Sequence, residues 1–378
     1  MTCEANGNCR LQDLAYFYKI TGLRFEEKAI TDIPLTDDQN SFIVRDFSKC
    51  ILCGRCVQAC NELVVNRAIS QGYRGKNSKI VTGGDLPYDA DDSECVFCGQ
   101  CIQVCPVGAL TEKKCKGLGR TWELKQVRTT CPYCGVGCQQ MLHVKGEQIV
   151  KITAAEDGAP NYGKLCVKGR FAYDFIYSKD RLTTPLIREK NGEFREASWD
   201  EALDLVAAKF KEIIAQHGPD SVAGISCARS INEDSYNMQK LFRAVFQTNN
   251  IDHCARVCHA PTVAGLAASF GSGAGTNSIA EYKDAKMFFC IGTNMTEAHP
   301  VASYYVKQAK LKGAKLIVAD PRCHELAKMS DIFAQIKVGS DVAFLNGIMN
   351  VLINEDLYDK KFVAENCTGF DDLKKAVM

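Results

Sequence analysis

The sequence predicts an α+β chain in which a cysteine-rich N-terminal module precedes an α/β domain. Two observations support this fold class. The chain of 378 residues contains 21 cysteines, and two runs of four with identical spacing fall within its first third. From Ser198 onward, amphipathic segments of helical period alternate with short apolar runs, which is the pattern of helices packed on a sheet. A chain of this length is sufficient for two or three domains.

Composition and charge argue against several classes of protein. Basic and acidic residues number 46 and 45, so the net charge of +1 gives no reason to expect a nucleic acid or an anionic membrane surface as partner. No long apolar run and no N-terminal signal pattern or twin-arginine pair is present, so we expect a cytoplasmic protein without a membrane span. The 21 thiols are too many for ordinary packing, and a reducing compartment disfavours disulfides, so the cysteine content indicates metal binding.

The two cysteine runs share the spacing C-x2-C-x2-C-x3-C. Their members are Cys50, Cys53, Cys56 and Cys60 in the first run, and Cys95, Cys98, Cys101 and Cys105 in the second. Three thiolates at this spacing surround one 4Fe-4S cluster, while the fourth points to the other cluster. We therefore predict one cluster on Cys50, Cys53, Cys56 and Cys105, and another on Cys95, Cys98, Cys101 and Cys60. Zinc modules instead pair two C-x2-C arms across a longer loop. The repeat predicts a two-cluster ferredoxin-like module over residues 31–120, which transfers electrons.

A third group of cysteines follows this module. Cys131, Cys134 and Cys138 have the spacing C-x2-C-x3-C, and Cys166 completes the set. Four thiolates suit a third 4Fe-4S cluster. The spacing alone also fits a zinc ribbon, so both metals stay open at this point.

The α/β portion begins with a well-delimited helix. Ser198 and Glu201 form a capping box, apolar residues recur at helical spacing, and Gly218 ends the segment. We expect a surface helix packed over a sheet. Six cysteines outside the predicted sites are interpreted as buried small hydrophobic residues: Cys115, Cys227, Cys254, Cys290, Cys323 and Cys367.

Further along, the pattern predicts a strand, a helix and a second strand. Residues 287–291 form an apolar run that ends at Gly292, a helix is expected over 300–310, and residues 315–319 form the next strand. Such a βαβ unit places a helix start beside the carboxyl end of a strand, where phosphate groups are often bound. No G-x-G-x-x-G is present, so a plain NAD site is not indicated.

Cys258 and His259 are the candidate catalytic residues. They precede a helix that is expected to begin near Pro261. A helix N-terminus favours a thiolate, which is the form that binds metals. By itself, however, a Cys-His pair is more often structural than catalytic.

The motifs together resemble the molybdopterin oxidoreductase family. The C-x2-C-x3-C run followed by Cys166-Val-Lys168-Gly resembles the opening of that family, whose members bind two pterin guanine dinucleotides around Mo or W. The segment around Cys258 resembles the formate dehydrogenase signature, in which cysteine or selenocysteine binds the metal and histidine follows. The resemblance implies a 4Fe-4S subdomain over 125–182 and an α/β pterin-binding domain over 183–378.

Roles for individual residues follow from this resemblance. Cys258 would bind Mo or W, and His259 would assist the proton or hydride step. Lys168 would lie between a cluster and a pterin and assist electron passage, although a solvated surface lysine is the alternative. Segments resembling those that hold the pterin guanine dinucleotides supply Gly292, Asn294, Glu297, Asp320, Arg322, Gly339 and Asp341. Alternatively, Gly292 is only a tight turn and Asp341 only a helix cap.

Both ends of the chain resemble parts of longer sites. Cys3 and Cys9 look like the end of the H-x3-C-x2-C-x5-C cluster site of the large iron-sulfur subunit of respiratory complex I and of NAD-coupled formate dehydrogenases. They would form a partial fourth cluster site within residues 1–30. The family's pterin domains continue for hundreds of residues and include an arginine that contacts formate, so we expect an incomplete α/β domain and a fragment of a longer protein.

The expected function is that of a formate dehydrogenase catalytic subunit. It would interconvert formate and CO2 and pass electrons through three 4Fe-4S clusters to a flavin- and NAD-binding subunit, a ferredoxin or a hydrogenase subunit. The alternatives are a complex-I-like electron-transfer subunit without molybdenum chemistry and a zinc-stabilised binding module.

Overall fold

The chain forms two compact units. The computed structural model describes residues 3–22, 24, 36–91 and 93–378. The first unit combines Met1–Thr130, Cys134–Val167 and Ile279–Met378, and the second combines Cys131–Tyr133 and Lys168–Ser278. The expected domain boundary between residues 30 and 31 lies outside the described residues.

The cysteine-rich part of the first unit is built from short elements. They are α1 (Arg10–Phe17), β1 (Thr36–Asp37), β2 (Ile43–Asp46), α2 (Arg55–Gln58), β3 (Ile69–Gly72), β4 (Lys79–Thr82), α3 (Gln100–Val104) and β5 (Leu110–Glu112). Strands β1, β2 and β5 form an antiparallel sheet with β2 in the centre, and β3 pairs antiparallel with β4. Ile43, Ile69, Ile80 and Leu110 form the buried core. Burial of these side chains stabilises a module that has little regular structure.

The two halves of the cysteine repeat have the same local structure. Helix α2 follows Gly54 with φ +73°, and α3 follows Gly99 with φ +68°. Glycine adopts this left-handed conformation without steric cost, so each loop can turn sharply into its helix. Each half of the cysteine repeat therefore consists of a glycine turn followed by a short helix.

A three-stranded antiparallel meander follows. Its strands are β6 (Lys125–Thr130), β7 (Gln139–Lys145) and β8 (Gln148–Ala154), with β7 in the centre. Val150 and Ile152 on β8 are buried. Cys134 and Cys138 lie on the loop that connects β6 and β7 of this meander.

The second unit contains shorter sheets and several helices. Its elements are α4 (Val167–Phe171), β9 (Leu186–Arg188), β10 (Phe194–Glu196), α5 (Trp199–His217), β11 (Gly224–Ser226), α6 (Asn232–Lys240), β12 (Ile251–His253), α7 (Ala255–Cys258) and α8 (Ala260–Phe270). Strand β9 pairs antiparallel with β10, and β11 pairs parallel with β12.

Helix α5 has the predicted ends but not the predicted packing. The Ser198 hydroxyl accepts a hydrogen bond from the Glu201 amide, and Gly218 follows the last helical residue. Yet no residue of α5 is buried, and Leu205 and Val206 are exposed. The expectation of a helix covering a sheet is wrong here, because β11 and β12 offer only three residues each.

The remainder of the first unit is a parallel α/β layer. It consists of β13 (Met287–Ile291), α9 (Met295–Ala298), α10 (Pro300–Leu311), β14 (Lys315–Ala319), α11 (Glu325–Lys328), β15 (Ile332–Ala334), α12 (Asp341–Asn354), α13 (Lys360–Asn366) and α14 (Phe370–Val377). The strand order is β13-β14-β15, all parallel, so the predicted βαβ unit is confirmed. Val306, Leu316, Val318 and Leu326 pack between sheet and helices. Across the described ranges, no helix is both long and apolar enough to cross a membrane.

Candidate functional site

Four cysteines from both runs surround one cavity in the first unit. This first cysteine cavity is lined by Cys50, Cys53, Cys56 and Cys105 together with apolar side chains that include Ile51, Ile80, Val107 and Leu110. It encloses about 450 Å³, part of it open to solvent. Burial raises the pKa of the Cys56 thiol to about 12, because the thiolate is desolvated. A bound metal cluster would supply the positive charge that this site needs to hold thiolates.

The other four cysteines surround a second cavity. This second cysteine cavity is lined by Cys60, Cys95, Cys98 and Cys101, with Ile43, Ala68, Ile69 and Val96 as apolar lining, and encloses about 330 Å³. Burial raises the pKa of Cys95 to about 12 and that of Cys101 well above its ordinary value. The two cavities group the eight cysteines into the same two sets of four as the spacing does. Iron binding at either set stays a prediction.

Arg45 and Tyr88 connect the two cavities, and sequence reasoning did not single them out. The Arg45 guanidinium lines the first cysteine cavity and lies 4.8 Å from the ring centroid of Tyr88, which lines the second. Its Nε and Nη2 donate to Asp37 Oδ2 at 3.2 and 2.7 Å, and its Nη1 donates to the Ile80 carbonyl at 3.2 Å. An arginine directly after the apolar residues Ile43 and Val44 of β2 was the only signal available.

The N-terminal cysteines lie beside the first cysteine cavity. Cys9 is buried against Val107 and Ala109, and Cys50 and Cys105 pack on the same cluster. The Cys3 carbonyl accepts a hydrogen bond from Arg120 Nη1 at 3.0 Å. The partial site predicted on Cys3 and Cys9 is therefore held next to the cysteine-rich module.

The third cysteine group is divided between the units. Cys134, Cys138 and Cys166 belong to the first unit, where Cys138 and Cys166 are buried, and Cys131 belongs to the second. Within the first unit the fully buried Asn161 ties the two ligand segments together. Its Oδ1 accepts from the Gln139 amide at 2.7 Å, and its Nδ2 donates to the carbonyls of Gln139 and Lys164 at 3.0 and 2.8 Å.

Lys164 is a second cation that sequence reasoning missed. The side chain is buried, and its ammonium lies 3.3 Å from Tyr305 Oη and 4.6 Å from the centroid of that ring. Desolvation lowers the pKa of Lys164. The sequence offered no signal, because Tyr305 lies far along the chain on α10.

The predicted pterin-binding residues gather at the carboxyl edge of the parallel sheet. Gly292 follows β13 with φ +58° and donates from its amide to the Ala319 carbonyl at 2.9 Å. Asn294 occupies the N-cap position of α9, which carries Glu297. Asp320 follows β14, is buried, and accepts from the Arg322 amide at 2.8 Å. This edge is where parallel α/β sheets usually bind ligands.

Two further predicted residues follow β15. Gly339 has φ +82°, and Asp341 is the first residue of α12, with Ser340 at the cap position. Asp341 therefore does not occupy the capping position that was its alternative role.

Unpartnered polar atoms are found at the same edge. Within the described part of the chain, Asn294 Nδ2 and both ring nitrogens of His324 are buried without a hydrogen-bond partner. His324 Nε2 lies 3.7 Å from Asp320 Oδ2. Buried polar groups normally have partners, so a polar ligand would fit this edge. His324 was not predicted, since nothing in its local sequence indicated burial.

Cys258 and His259 lie at the junction of two helices in the second unit. Cys258 is the last residue of α7, a single turn in place of the expected loop, and α8 begins at Ala260, one residue before Pro261. The His259 amide donates to the Ala255 carbonyl at 2.8 Å. Both side chains are exposed, as is that of Lys168 on α4.

The cysteines outside the predicted sites are mostly not core residues. Cys290 is buried and Cys115 is partly buried. The other four, which were also expected to be buried, are exposed: Cys227, Cys254, Cys323 and Cys367. Their burial could not be predicted because a lone cysteine carries no periodic signal.

Family comparisons match nearly every part of the chain. Residues 181–375 match the molybdopterin oxidoreductase family, 124–178 the molybdopterin oxidoreductase Fe4S4 domain, 49–109 the 4Fe-4S dicluster domain, and 1–24 the NADH-ubiquinone oxidoreductase-G iron-sulfur binding region.

Curated relatives and a solved structure agree with these matches. The probable oxidoreductase YjgC of Bacillus subtilis (strain 168) is 37% identical over 98% of this chain and 41% of its own length. The F420-dependent formate dehydrogenase 2 subunit alpha of Methanococcus maripaludis is 48% identical over 68% of this chain and 37% of its own. The chain thus spans about two fifths of the length of these relatives.

Acetylene hydratase from Pelobacter acetylenicus is one structural relative, with a TM-score of 0.57 and 30% identity over 67% of this chain and 35% of its own. Since the molybdopterin oxidoreductase match alone takes in more than half of the residues and the iron-sulfur matches precede it in order, the chain belongs to the molybdopterin oxidoreductase family.

Proposed function

We propose that this chain belongs to the catalytic subunit of a formate dehydrogenase, which interconverts formate and CO2 at a Mo or W centre. The observation that carries the proposal is the Cys258–His259 pair directly before α8 in a member of this family. The name of the Methanococcus maripaludis relative supports formate as the substrate. Oxidation of formate yields CO2, one proton and two electrons.

The proposed cofactors are three 4Fe-4S clusters and a Mo or W bis(pterin guanine dinucleotide). Two cavities lined by four cysteines each fit two of the clusters, and Cys131, Cys134, Cys138 and Cys166 are proposed for the third. The unpartnered atoms of Asn294 and His324 fit a polar ligand at the sheet edge. When bound, the metal-pterin group supplies the two-electron redox chemistry.

Cys258 and His259 have different proposed roles. The Cys258 side chain is exposed, just ahead of the N-terminus of α8, and the thiol of an accessible cysteine is a common metal ligand. Cys258 is thereby suited to bind the metal. His259 is adjacent, and an imidazole can take up the proton that leaves formate. Lys168 lies two residues after Cys166 and is proposed to assist electron passage.

Electrons would leave through the iron-sulfur part of the chain. The two cysteine cavities hold redox groups that perform no bond chemistry of their own. We propose a flavin- and NAD-binding subunit, a ferredoxin or a hydrogenase subunit as the acceptor. The match of residues 1–24 to an NADH-ubiquinone oxidoreductase-G region supports a partner subunit of the electron-transfer type.

The same N-terminal match favours one alternative, a complex-I-like electron-transfer subunit without molybdenum chemistry. Both candidate functions require the iron-sulfur clusters, but only the formate dehydrogenase requires Cys258 as a metal ligand. A substitution of Cys258 therefore distinguishes the two functions.

The test uses holoprotein prepared without oxygen, assayed for formate oxidation with an artificial electron acceptor and analysed for Fe, Zn, Mo and W. Cys258→Ala should abolish activity and keep the iron content. His259→Ala should keep Mo or W and slow turnover by about 100- to 10,000-fold, as expected for a lost acid-base group. Cys367→Ala removes another exposed cysteine and serves as the matched control with unchanged activity. Formate oxidation by the Cys258→Ala protein would refute the proposal and favour the electron-transfer alternative.

A further inference from the structure

Tyr88 is a buried hydroxyl donor that faces the second cysteine cavity. Its side chain is 1% exposed and lines the cavity with Cys60, Cys95, Cys98 and Cys101. Among the described residues, Tyr88 Oη has no hydrogen-bond partner. A buried donor without a partner is costly, so such groups usually mark a missing acceptor.

No acceptor of the cavity lining is bonded to the Tyr88 hydroxyl. Apart from the cysteines and Tyr88, the side chains of the lining are apolar except for that of Asn66. A group bound in the cavity would supply the acceptor that the hydroxyl lacks. The sulfides and thiolate sulfurs of an iron-sulfur cluster accept hydrogen bonds.

Arg45 fixes the tyrosine ring in this orientation. Its guanidinium packs on the ring face and is itself held by Asp37 and by the Ile80 carbonyl. The hydroxyl is consequently presented by a ring that is packed on a buried, hydrogen-bonded cation. A donor placed in advance loses little entropy when the acceptor arrives.

We propose, on the basis of the proposed function, that the Tyr88 hydroxyl donates a hydrogen bond to a sulfur of the 4Fe-4S cluster on Cys60, Cys95, Cys98 and Cys101 and raises its reduction potential. Reduction adds negative charge to the cluster, so a donor to sulfur stabilises the reduced form more than the oxidised form. The cluster in the first cysteine cavity would not accept this hydrogen bond, so its reduction potential would not depend directly on Tyr88. Tyr88 would thus set the relative potentials of two clusters that share one small module.

The experiment is a potentiometric titration of the anaerobic holoprotein followed by EPR, with Tyr88→Phe as the variant. Phenylalanine keeps the ring that packs on Arg45 and removes only the hydroxyl. A hydrogen bond to a charged group changes an equilibrium constant by about tenfold, so we expect a fall in potential of about 59 mV for one electron. The other cluster should keep its potential, and Cys53→Ser, which alters only the first site, assigns the two signals.

Tyr73→Phe is the matched control. The Tyr73 side chain is exposed, and its hydroxyl donates to Asp85 Oδ2 at 2.8 Å. This substitution should leave both potentials unchanged. Pulsed EPR in D2O should also show that Tyr88→Phe removes one exchangeable proton near the cluster.

Unchanged potential and unchanged proton coupling in Tyr88→Phe would overturn the proposal. If that variant loses its cluster, global replacement of tyrosine by fluorotyrosine strengthens the donor and should raise the potential of the same cluster alone, and no change would again overturn it. A wild-type holoprotein without two reduced cluster signals from this module would instead refute the cluster assignment in the proposed function.

Discussion

The ion pair between Arg45 and Asp37 supports a specific prediction about the stability of the cysteine-rich module. The Arg45 and Asp37 side chains are 6% and 13% exposed, and the guanidinium also donates a hydrogen bond to the Ile80 carbonyl. Arg45→Met removes the cation and leaves a buried carboxylate without its partner. Removal of one member of a buried pair costs about 3–5 kcal/mol. We expect local opening of β2 and β4 to become easier by that amount.

Hydrogen exchange read by mass spectrometry measures this opening in the intact holoprotein. A change of 3–5 kcal/mol corresponds to faster exchange of the β2 amides by between about 100-fold and a few thousand-fold. Adding Asp37→Asn to the Arg45→Met protein removes the unpaired carboxylate charge. This second substitution should recover roughly half of the lost local stability, because the two sites are coupled.

Arg128→Met is the matched control for this measurement. Arg128 pairs with Asp157 at 3.0 Å, but the side chains are 46% and 79% exposed. Surface pairs contribute about 0–1 kcal/mol, so its loss should change exchange only a few-fold. If Arg45→Met behaves like Arg128→Met, the pair does not stabilise the module and the reasoning is refuted.

Three further predictions concern the clusters and the meander. Anaerobic reconstitution should load about 12 iron atoms per chain, four in each of three sites, and zinc with little iron would contradict the assignment. Cys105→Ser should disturb the cluster of the first cavity and Cys60→Ser that of the second, and EPR can distinguish the two clusters. The reverse outcome would refute the prediction that the fourth cysteine of each run binds the cluster of the other run. Burial lowers the pKa of His143 to about 4 from 6.5, so the unfolded chain binds more protons between these values and the fold loses stability as pH falls through them. Exchange of the β7 amides should show this loss, and His143→Gln should lack it.

The part of the site that depends on local spacing could be predicted from sequence. The cysteine runs encode which thiols share a cavity, because the third cysteine and the fourth are separated by one helical turn. The start of α5 could also be predicted from local sequence, since the Ser198 hydroxyl accepts a hydrogen bond from the Glu201 amide three residues along the chain.

Residues whose role depends on distant partners could not be predicted. Arg45 donates a hydrogen bond to the Ile80 carbonyl, and Tyr88 lines the same cavity as Cys101. Both contacts arise from tertiary packing, which the periodicity of the sequence does not predict. The exposed apolar face of α5 is a similar case. A pattern fixes which side of a helix is apolar, whereas the extent of burial depends on what the rest of the fold supplies.

The discontinuity of the first unit has a consequence for synthesis on the ribosome. Residues 168–278, which make up most of the second unit, are translated between two parts of the first. At about 5–20 residues per second, these roughly 110 residues take on the order of 5–20 s. Both cysteine cavities have left the ribosome by then, while β13, β14 and β15 do not yet exist. Both cysteine cavities can therefore fold before the strands that form the sheet edge proposed for the pterin have been translated.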